Sequence, residues 1–394
     1  MKKIILCLLI VGFTFAADLP LSSEKKELLN LQRKQILKEY HKNKNIWISP
    51  FKLSGSIYEN IDISKDKSQT RNVALSWSQD IFRSAGIFHI INKAKALNQY
   101  SLLVVDLKEA AYLKNIYTLK TKIQRDKLLQ KQSELTLKNN EIDLFIITQK
   151  FKVGSADISE LNRANITIAN AKTEIILLRN TLLNTEFELK KYIGKNSIED
   201  IPLIDFVLIN KEIYIKKNLE LLQYYAKNKD NLFNSKIIQS SFHPKLTFNF
   251  SYGYTANKED TYPINDSNGN NYYYGLTFSL PLDINKDSTI NASKLVYLQS
   301  KISITDKKME LIQKYNKYFQ TIIDLKEKAM IAKDTSTRYF DLKKFTFNQV
   351  KAGFKSSYEL ESLQNSVKIQ KLEIKIQNLN ILIEKISLYF DIRH

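Results

Sequence analysis

Cysteine is almost absent: the 394 residues contain one, Cys7. No intrachain disulfide and no cysteine-based metal cluster can be built from it. Histidine is scarce too. His41, His89, His243 and His394 lie far apart with no paired metal-ligand spacing, so each is read as a surface or packing residue. There is no glycine-rich phosphate loop and no strained serine elbow, which argues against an enzyme and leaves no cofactor to expect. Long apolar runs are equally rare. One run, from Ile4 to Phe15, follows Met1-Lys2-Lys3 and precedes Ala16-Ala17, the layout of a secretory signal peptide over residues 1–16. It falls short of the ~20 residues that a membrane-crossing helix needs. Cys7 lies inside this leader and lacks the small residue that a lipoprotein cleavage site places before it. No later stretch is apolar enough to cross as a helix, in keeping with a mean hydropathy of -0.31. Membrane insertion, if it occurs, must be by β-strands.

Lysine is abundant and sets a formal net charge of +19, which drops by two once Lys2 and Lys3 are removed. The lysines are spread along the chain rather than gathered in one patch, which indicates a solvated basic surface and no nucleic-acid partner.

Glycine and proline are few, and their positions divide the chain. Residues 87–153, and those between Pro281 and Gly353, contain no breaker. At 1.5 Å per residue a helix of about 65 residues is roughly 97 Å long, beyond any ordinary globular helix. Each such rod ends in a turn and is followed by a return helix. The first carries Leu161, Ala164, Ile168, Ala171, Ile175, Leu178, Leu182, Thr185, Leu189 and Tyr192 at alternating steps of three and four. The second carries Leu372, Ile376, Leu379, Ile383, Ile386 and Phe390. This spacing is a packing seam against other helices.

The chain also repeats. Lys152-Val153-Gly154-Ser155 aligns with Lys351-Ala352-Gly353-Phe354 at an offset of 199, and Leu75-Ser76-Trp77-Ser78 aligns with Leu276-Thr277-Phe278-Ser279 at 201. The expected organisation is a first repeat over 17–200 and a second over 201–394. The first has a helix, a strand pair 47–82, a long helix 87–151 and a return helix 158–193. The second has a helix 205–237, a strand pair 244–283, a long helix 286–351 and a return helix 357–392. Helices 158–193 and 205–237 together equal the length of one long rod, with residues 194–202 as a connecting strap.

The strand pairs alternate. Leu246, Phe248, Phe250, Tyr252 and Tyr254 share one face, opposite Thr247, Asn249, Ser251, Gly253 and Thr255; Tyr274, Leu276, Phe278 and Leu280 repeat the pattern. Phe51, Leu53 and Ile57, and Val73, Leu75 and Trp77, do the same in the first repeat. A half-buried soluble sheet and a membrane barrel both show this period. Segments of about ten residues suit tilted membrane strands. Leu246, Phe248, Phe250, Leu276, Phe278 and Leu280 are then the lipid-facing residues, Tyr272-Tyr273-Tyr274 an aromatic girdle, and 256–271 an outward loop. Four strands cannot close a barrel, whereas three copies supply twelve.

These residues resemble the outer-membrane factor family typified by TolC. The carriers are the tandem repeat, Gly275-Leu-Thr-Phe-Ser-Leu-Pro281, the turns Phe151-Lys152-Val153-Gly154 and Val350-Lys351-Ala352-Gly353, and the pairs Glu160-Leu161 and Glu359-Leu360. The resemblance implies a mainly α, mixed α and β fold and a homotrimeric duct in the outer membrane with its helical tunnel in the periplasm. It also implies docking of a periplasmic adaptor bound to an inner-membrane pump. Val153, Gly154 and Ser155, with Ala352, Gly353 and Phe354, would be the adaptor-facing turns, and Lys351 and Lys355 would line the pore tip. Two features depart from the family. The first helix, 21–45, is short, and the second turn, 344–357, holds Lys344, Lys351 and Lys355 without an acid. The rival expectation is a periplasmic adaptor or another coiled-coil protein. Such an adaptor has one helical hairpin beside glycine-rich β domains, where this chain has two hairpins and two strand pairs.

Overall fold

The computed structural model describes residues 20–61, 67–259 and 267–393. The expected leader over 1–16 and its Cys7 lie outside the described residues.

The chain is mainly helical. The elements are α1 (Ser23–Lys44), β1 (Lys52–Ile61), β2 (Lys67–Phe82), α2 (Gly86–Lys152), α3 (Ile158–Ile193), α4 (Lys211–Lys217), α5 (Leu219–Ser241), β3 (Lys245–Glu259), β4 (Ser267–Ser279), α6 (Lys286–Lys351) and α7 (Ser357–Phe390). The 67 residues of α2 and the 66 of α6 run unbroken, because nothing between Gly86 and Gly154, or between Pro281 and Gly353, interrupts the backbone hydrogen-bond ladder. Capping fixes the return helices. Asp157 caps α3 by accepting from Glu160 N at 2.8 Å. Ser356 and Glu359 form a reciprocal capping box at the start of α7. The four strands make one antiparallel sheet in the order β1-β2-β3-β4.

Two compact units divide the chain. Of the described residues, one comprises those within 20–29, 108–214 and 312–393, and the other those within 30–107 and 215–311. In the first, Tyr117 stacks on Phe390 at 5.6 Å and meets Phe206 edge-on at 5.4 Å. Leu189, Ile193, Ile116 and Ile386 of the same unit are fully buried; each such side chain contributes roughly 1.5–3 kcal/mol. At the C-cap of α7, Asp391 accepts from Lys114 Nζ at 3.1 Å, from Lys314 Nζ at 2.8 Å and from the Tyr214 hydroxyl at 3.0 Å. One carboxylate thus ties α2, α4 and α6 to the end of α7. The strap after Gly194 is held by Lys120 Nζ, which donates to Ile198 O at 2.6 Å.

In the second unit Leu103, Val105, Leu219, Leu221 and Leu311 are buried. Lys307 bridges Glu220 at 2.6 Å and Glu310 at 2.9 Å. Arg33 pairs with Asp106 at 3.1 Å, and Asn228 Nδ2 donates to Ser300 Oγ at 2.8 Å.

The helix expected over 205–237 is corrected. Residues 205–210 are not helical, and the helical stretch that begins at Lys211 is interrupted at Asn218. With φ -59° and ψ 124°, Asn218 leaves the helical region, and its side chain accepts from Leu221 N to start α5. The length balance built on a single 33-residue helix therefore does not hold.

Candidate conduit strands and tip turns

Strand register decides which side chains share a face. Leu246 lies across from Phe278, Phe248 from Leu276, and Phe250 from both Tyr274 and Trp77. Leu75 faces Leu53 on one side and Tyr252 on the other. The apolar sets of both strand pairs thus fall on one face of one sheet. Trp77 stacks on Phe51 at 5.2 Å and meets Phe248 edge-on at 6.0 Å, while its Nε1 donates to Ser49 O at 3.0 Å. Leu276 and Phe278 are 62% and 67% exposed, and Leu246, Phe248 and Phe250 are half-buried. Leu280 lies just past the end of β4 and is exposed.

The opposite face is a hydrogen-bonded lattice of hydroxyls and amides. Ser78 Oγ donates to Asn249 Oδ1 at 2.7 Å, and Asn249 Nδ2 donates to Thr277 Oγ1 at 2.9 Å. At its end Thr247 donates to Asp80 at 2.8 Å. Two expectations change here. Tyr273 pairs across from Ser251 on the polar face, so the three-tyrosine girdle reduces on β4 to Tyr272 and Tyr274. Tyr273 instead folds along its own strand over Gly275, where an added Cβ would come within 2.8 Å of its hydroxyl. The loop expected over 256–271 also shortens, since β3 reaches Glu259 and β4 begins at Ser267. Residues 260–266 lie outside the described residues.

The two tip turns are one motif used twice. Ser155 N donates to Lys150 O at 2.8 Å and Gly154 N to Phe151 O at 3.0 Å; Phe354 N donates to Gln349 O at 2.9 Å and Gly353 N to Val350 O at 3.1 Å. These are Schellman closures, which need a left-handed residue after the last helical turn. Gly154 has φ +75° and Gly353 φ +78°. Val153 and Phe354 project at 78% and 83% exposure, and Ser155 and Ala352 are exposed beside them. Lys351 Nζ lies 4.8 Å from the centre of the Phe347 ring, and Lys355 Nζ lies 3.9 Å from a Glu359 oxygen. Glu160 and Glu359, which the sequence marks only as members of Glu-Leu pairs, belong to the caps.

Among the described contacts, α2 meets α3 through Tyr112 and Tyr192 and meets α7 through Gln132 and Glu373. Beside its expected seam α3 bears a second apolar stripe, and α6 bears an exposed stripe as well. On α3 it is Ile166, Ile176, Leu183 and Phe187; on α6 it is Ile302, Met309, Phe319, Met330, Phe340 and Phe347; all are at least 41% exposed. The steps between them are sums of threes and fours, so each set keeps to the a and d positions of a heptad line along its helix. Reading for a single seam hides a second one.

Among the described residues no helix is long and apolar enough to cross a membrane, and no group of three metal-ligating side chains comes together. No family profile and no curated protein matches the sequence. Solved structures do match, and the fold they define is that of TolC-like outer-membrane channels. The chain is similar to CusC, with 12% identity, a TM-score of 0.73, and coverage of 95% of this chain and 89% of that one. It is similar to the outer-membrane protein VceC of Vibrio cholerae at 12% identity and TM-score 0.71, covering 94% and 92%. It is also similar to the Neisseria gonorrhoeae MtrE outer-membrane channel at 13% identity and TM-score 0.72, covering 94% and 86%. At such identities what is shared is the fold.

Proposed function

We propose that the chain is the outer-membrane channel of a tripartite export system, working as a homotrimer with a twelve-strand barrel and a periplasmic helical tunnel. The observation that carries this is a pair of unfinished margins. β1 and β4 each pair on one side only among the described residues, and α3 and α6 leave apolar stripes exposed. An unpaired strand edge cannot stand in lipid, and exposed apolar stripes are a mark of association. Copies joined head to tail satisfy both margins, and a closed ring leaves none.

In this arrangement Leu246, Phe248, Phe250, Leu276, Phe278 and Leu280 face lipid, and the hydroxyl and amide lattice lines the lumen. The tip turns at Val153–Ser155 and Ala352–Phe354 dock a periplasmic adaptor that couples to an inner-membrane pump, and Lys351 and Lys355 sit at the pore tip. Two hairpins and two strand pairs support a channel over an adaptor. Native mass spectrometry of detergent-purified protein tests the assembly: a trimer is expected, and monomer alone at working concentrations would overturn it. Tip docking is tested separately. Gly353→Val is expected to leave trimers intact while abolishing adaptor-dependent export, and normal export by that variant would remove the turn from the docking surface.

A further inference from the structure

The apolar face of the sheet changes character at one level. From Leu246 and Phe278 at the helical end up to Tyr254, no charged residue stands on it among the described residues. One step beyond Tyr254 comes Arg71, set between Ile57 and Ala256, and then Gln69, set between Glu59 and Lys258. Alternation puts the Arg71 and Lys258 side chains on the same face as Leu246, Phe250 and Tyr254. Both are exposed.

Depth fixes what this level meets. Leu246 to Ala256 is a step of ten residues, about 33 Å of strand, which a tilt of about 35–45° reduces to roughly 25 Å of membrane thickness. That is the height of the apolar band of an outer-membrane barrel. Tyr252, Tyr254 and Tyr272 fall just inside its far edge, where an aromatic girdle belongs, and Arg71 and Lys258 fall just outside it. The helices α1, α2, α5 and α6 join the sheet at the opposite end, beside Lys52, Phe82, Lys245 and Ser279. The level of Arg71 is therefore that of the outer leaflet's headgroups.

The charge at this level is not spent within the described chain. Arg71 Nε and Nη2 donate to Gln69 Oε1 at 3.1 Å and 2.9 Å, which fixes the guanidinium against its strand and leaves three of its five N–H groups for another acceptor. Neither Arg71 nor Lys258 forms an ion pair with a described residue. The acid on this face, Glu59, lies 3.9 Å from Lys67 instead. Arg71 and Lys258 are diagonal neighbours on adjacent strands, about 7–8 Å apart at the backbone. A planar fork and an ammonium at that spacing suit one phosphate group.

We infer that Arg71 and Lys258 bind the phosphate of an anionic lipid headgroup in the outer leaflet, with the tyrosines beneath packing against its acyl chains. This rests on the channel proposal in taking the apolar face as the one in the bilayer. The occupant is a lipid and not free phosphate, because the two cations stand directly above a face that acyl chains cover. Nor is it a second copy of the chain: β2 and β3 are the inner strands of the sheet, and copies meet at its edges. Such attraction weakens with salt.

Native mass spectrometry of the detergent-purified, full-length trimer counts bound lipid directly. The probes are a bisphosphorylated glucosamine glycolipid, the same lipid with its phosphates removed, and inorganic phosphate. The phosphorylated lipid is expected to bind at least tenfold more tightly than the dephosphorylated one. Arg71→Ala with Lys258→Ala should remove that preference. Lys216→Ala with Lys333→Ala, which deletes the same charge from exposed helical positions, should keep it. Preference unchanged in the first variant, or lost equally in both, overturns the proposal. So does displacement of the lipid by inorganic phosphate at matched ionic strength, which would make this a small-anion site. A trimer that conducts yet binds both lipids equally removes the lipid site and leaves the channel proposal intact. Preference that depends on Arg71 and Lys258, in a protein that passes no current, would leave the site standing and remove the channel proposal.

Discussion

At the scale of single residues, two glycines and one histidine carry the clearest consequences. Nothing lies within 4 Å of a Cβ added at Gly154 or Gly353, so the demand for glycine is one of backbone conformation and not of space. Alanine at either position, held at positive φ, should cost about 1–2 kcal/mol, with asparagine cheaper than alanine. Hydrogen exchange at the ends of α2 and α6 measures this locally; equal protection in the wild type and both alanine variants would show that the turns do not hold these helices closed. His89 lies near Phe88 at 5.8 Å and Phe233 at 6.3 Å, with its Nδ1 buried and without a hydrogen-bond partner. Burial, reinforced by the charge of Lys236, lowers its pKa from 6.5. The unfolded chain therefore takes up the proton first. The stability that depends on a neutral ring is full above pH 6.5 and is lost as the pH falls from there toward the folded-state value. Melting temperatures of wild type and His89→Phe at pH 7.5 and 5.5 test the sign: the variant should lose less on acidification, and an equal loss would place the linkage elsewhere. None of this is visible in the sequence, where His89 is one isolated histidine.

At the scale of elements, the faces of the sheet separate two substitutions at neighbouring positions. Phe250→Lys places a charge on the apolar face at a cost of about 2–4 kcal/mol if that face meets the middle of the bilayer. Asn249→Lys adds the same charge to the hydroxyl and amide face and should be tolerated. Equal yields of folded trimer from both would reverse the assignment of faces. Asp391 is the corresponding test among the helices. Removing the carboxylate shared by Lys114, Lys314 and Tyr214 in Asp391→Ala should destabilise the first unit by about 2–3 kcal/mol, read as a lower urea midpoint. An unchanged midpoint would make the carboxylate dispensable.

Legibility follows from how local each signal is. The fold class could be read because glycine and proline are so rare that their few positions outline the long helices, and because alternation in β2, β3 and β4 is regular. The break at Asn218 was hidden because asparagine acts there as a cap, which depends on the turn that follows it and not on composition. Tyr273 was misplaced by grouping three adjacent tyrosines where strict alternation separates the middle one. The second stripe on α3 is masked by the seam that shares its helix, and the stripe on α6 is masked by the widely spaced positions that make it up.

At the scale of the whole molecule, the central claim is that one chain is an unfinished piece of a closed conduit. Its margins predict where assembly fails. Ile176→Glu with Leu183→Glu, both changes on the exposed stripe of α3, should shift trimer toward monomer without unfolding the helices, checked by native mass together with circular dichroism. A fully trimeric variant would show that the stripe is not an interface. The most direct measurement is the conductance of purified, refolded protein added to a planar lipid bilayer. Discrete, reproducible current steps of one unit size are expected, carried by the trimer fraction and absent from the α3 stripe variant. A trimer that inserts yet passes no ions, or current that a monomeric preparation supports equally well, would contradict the account.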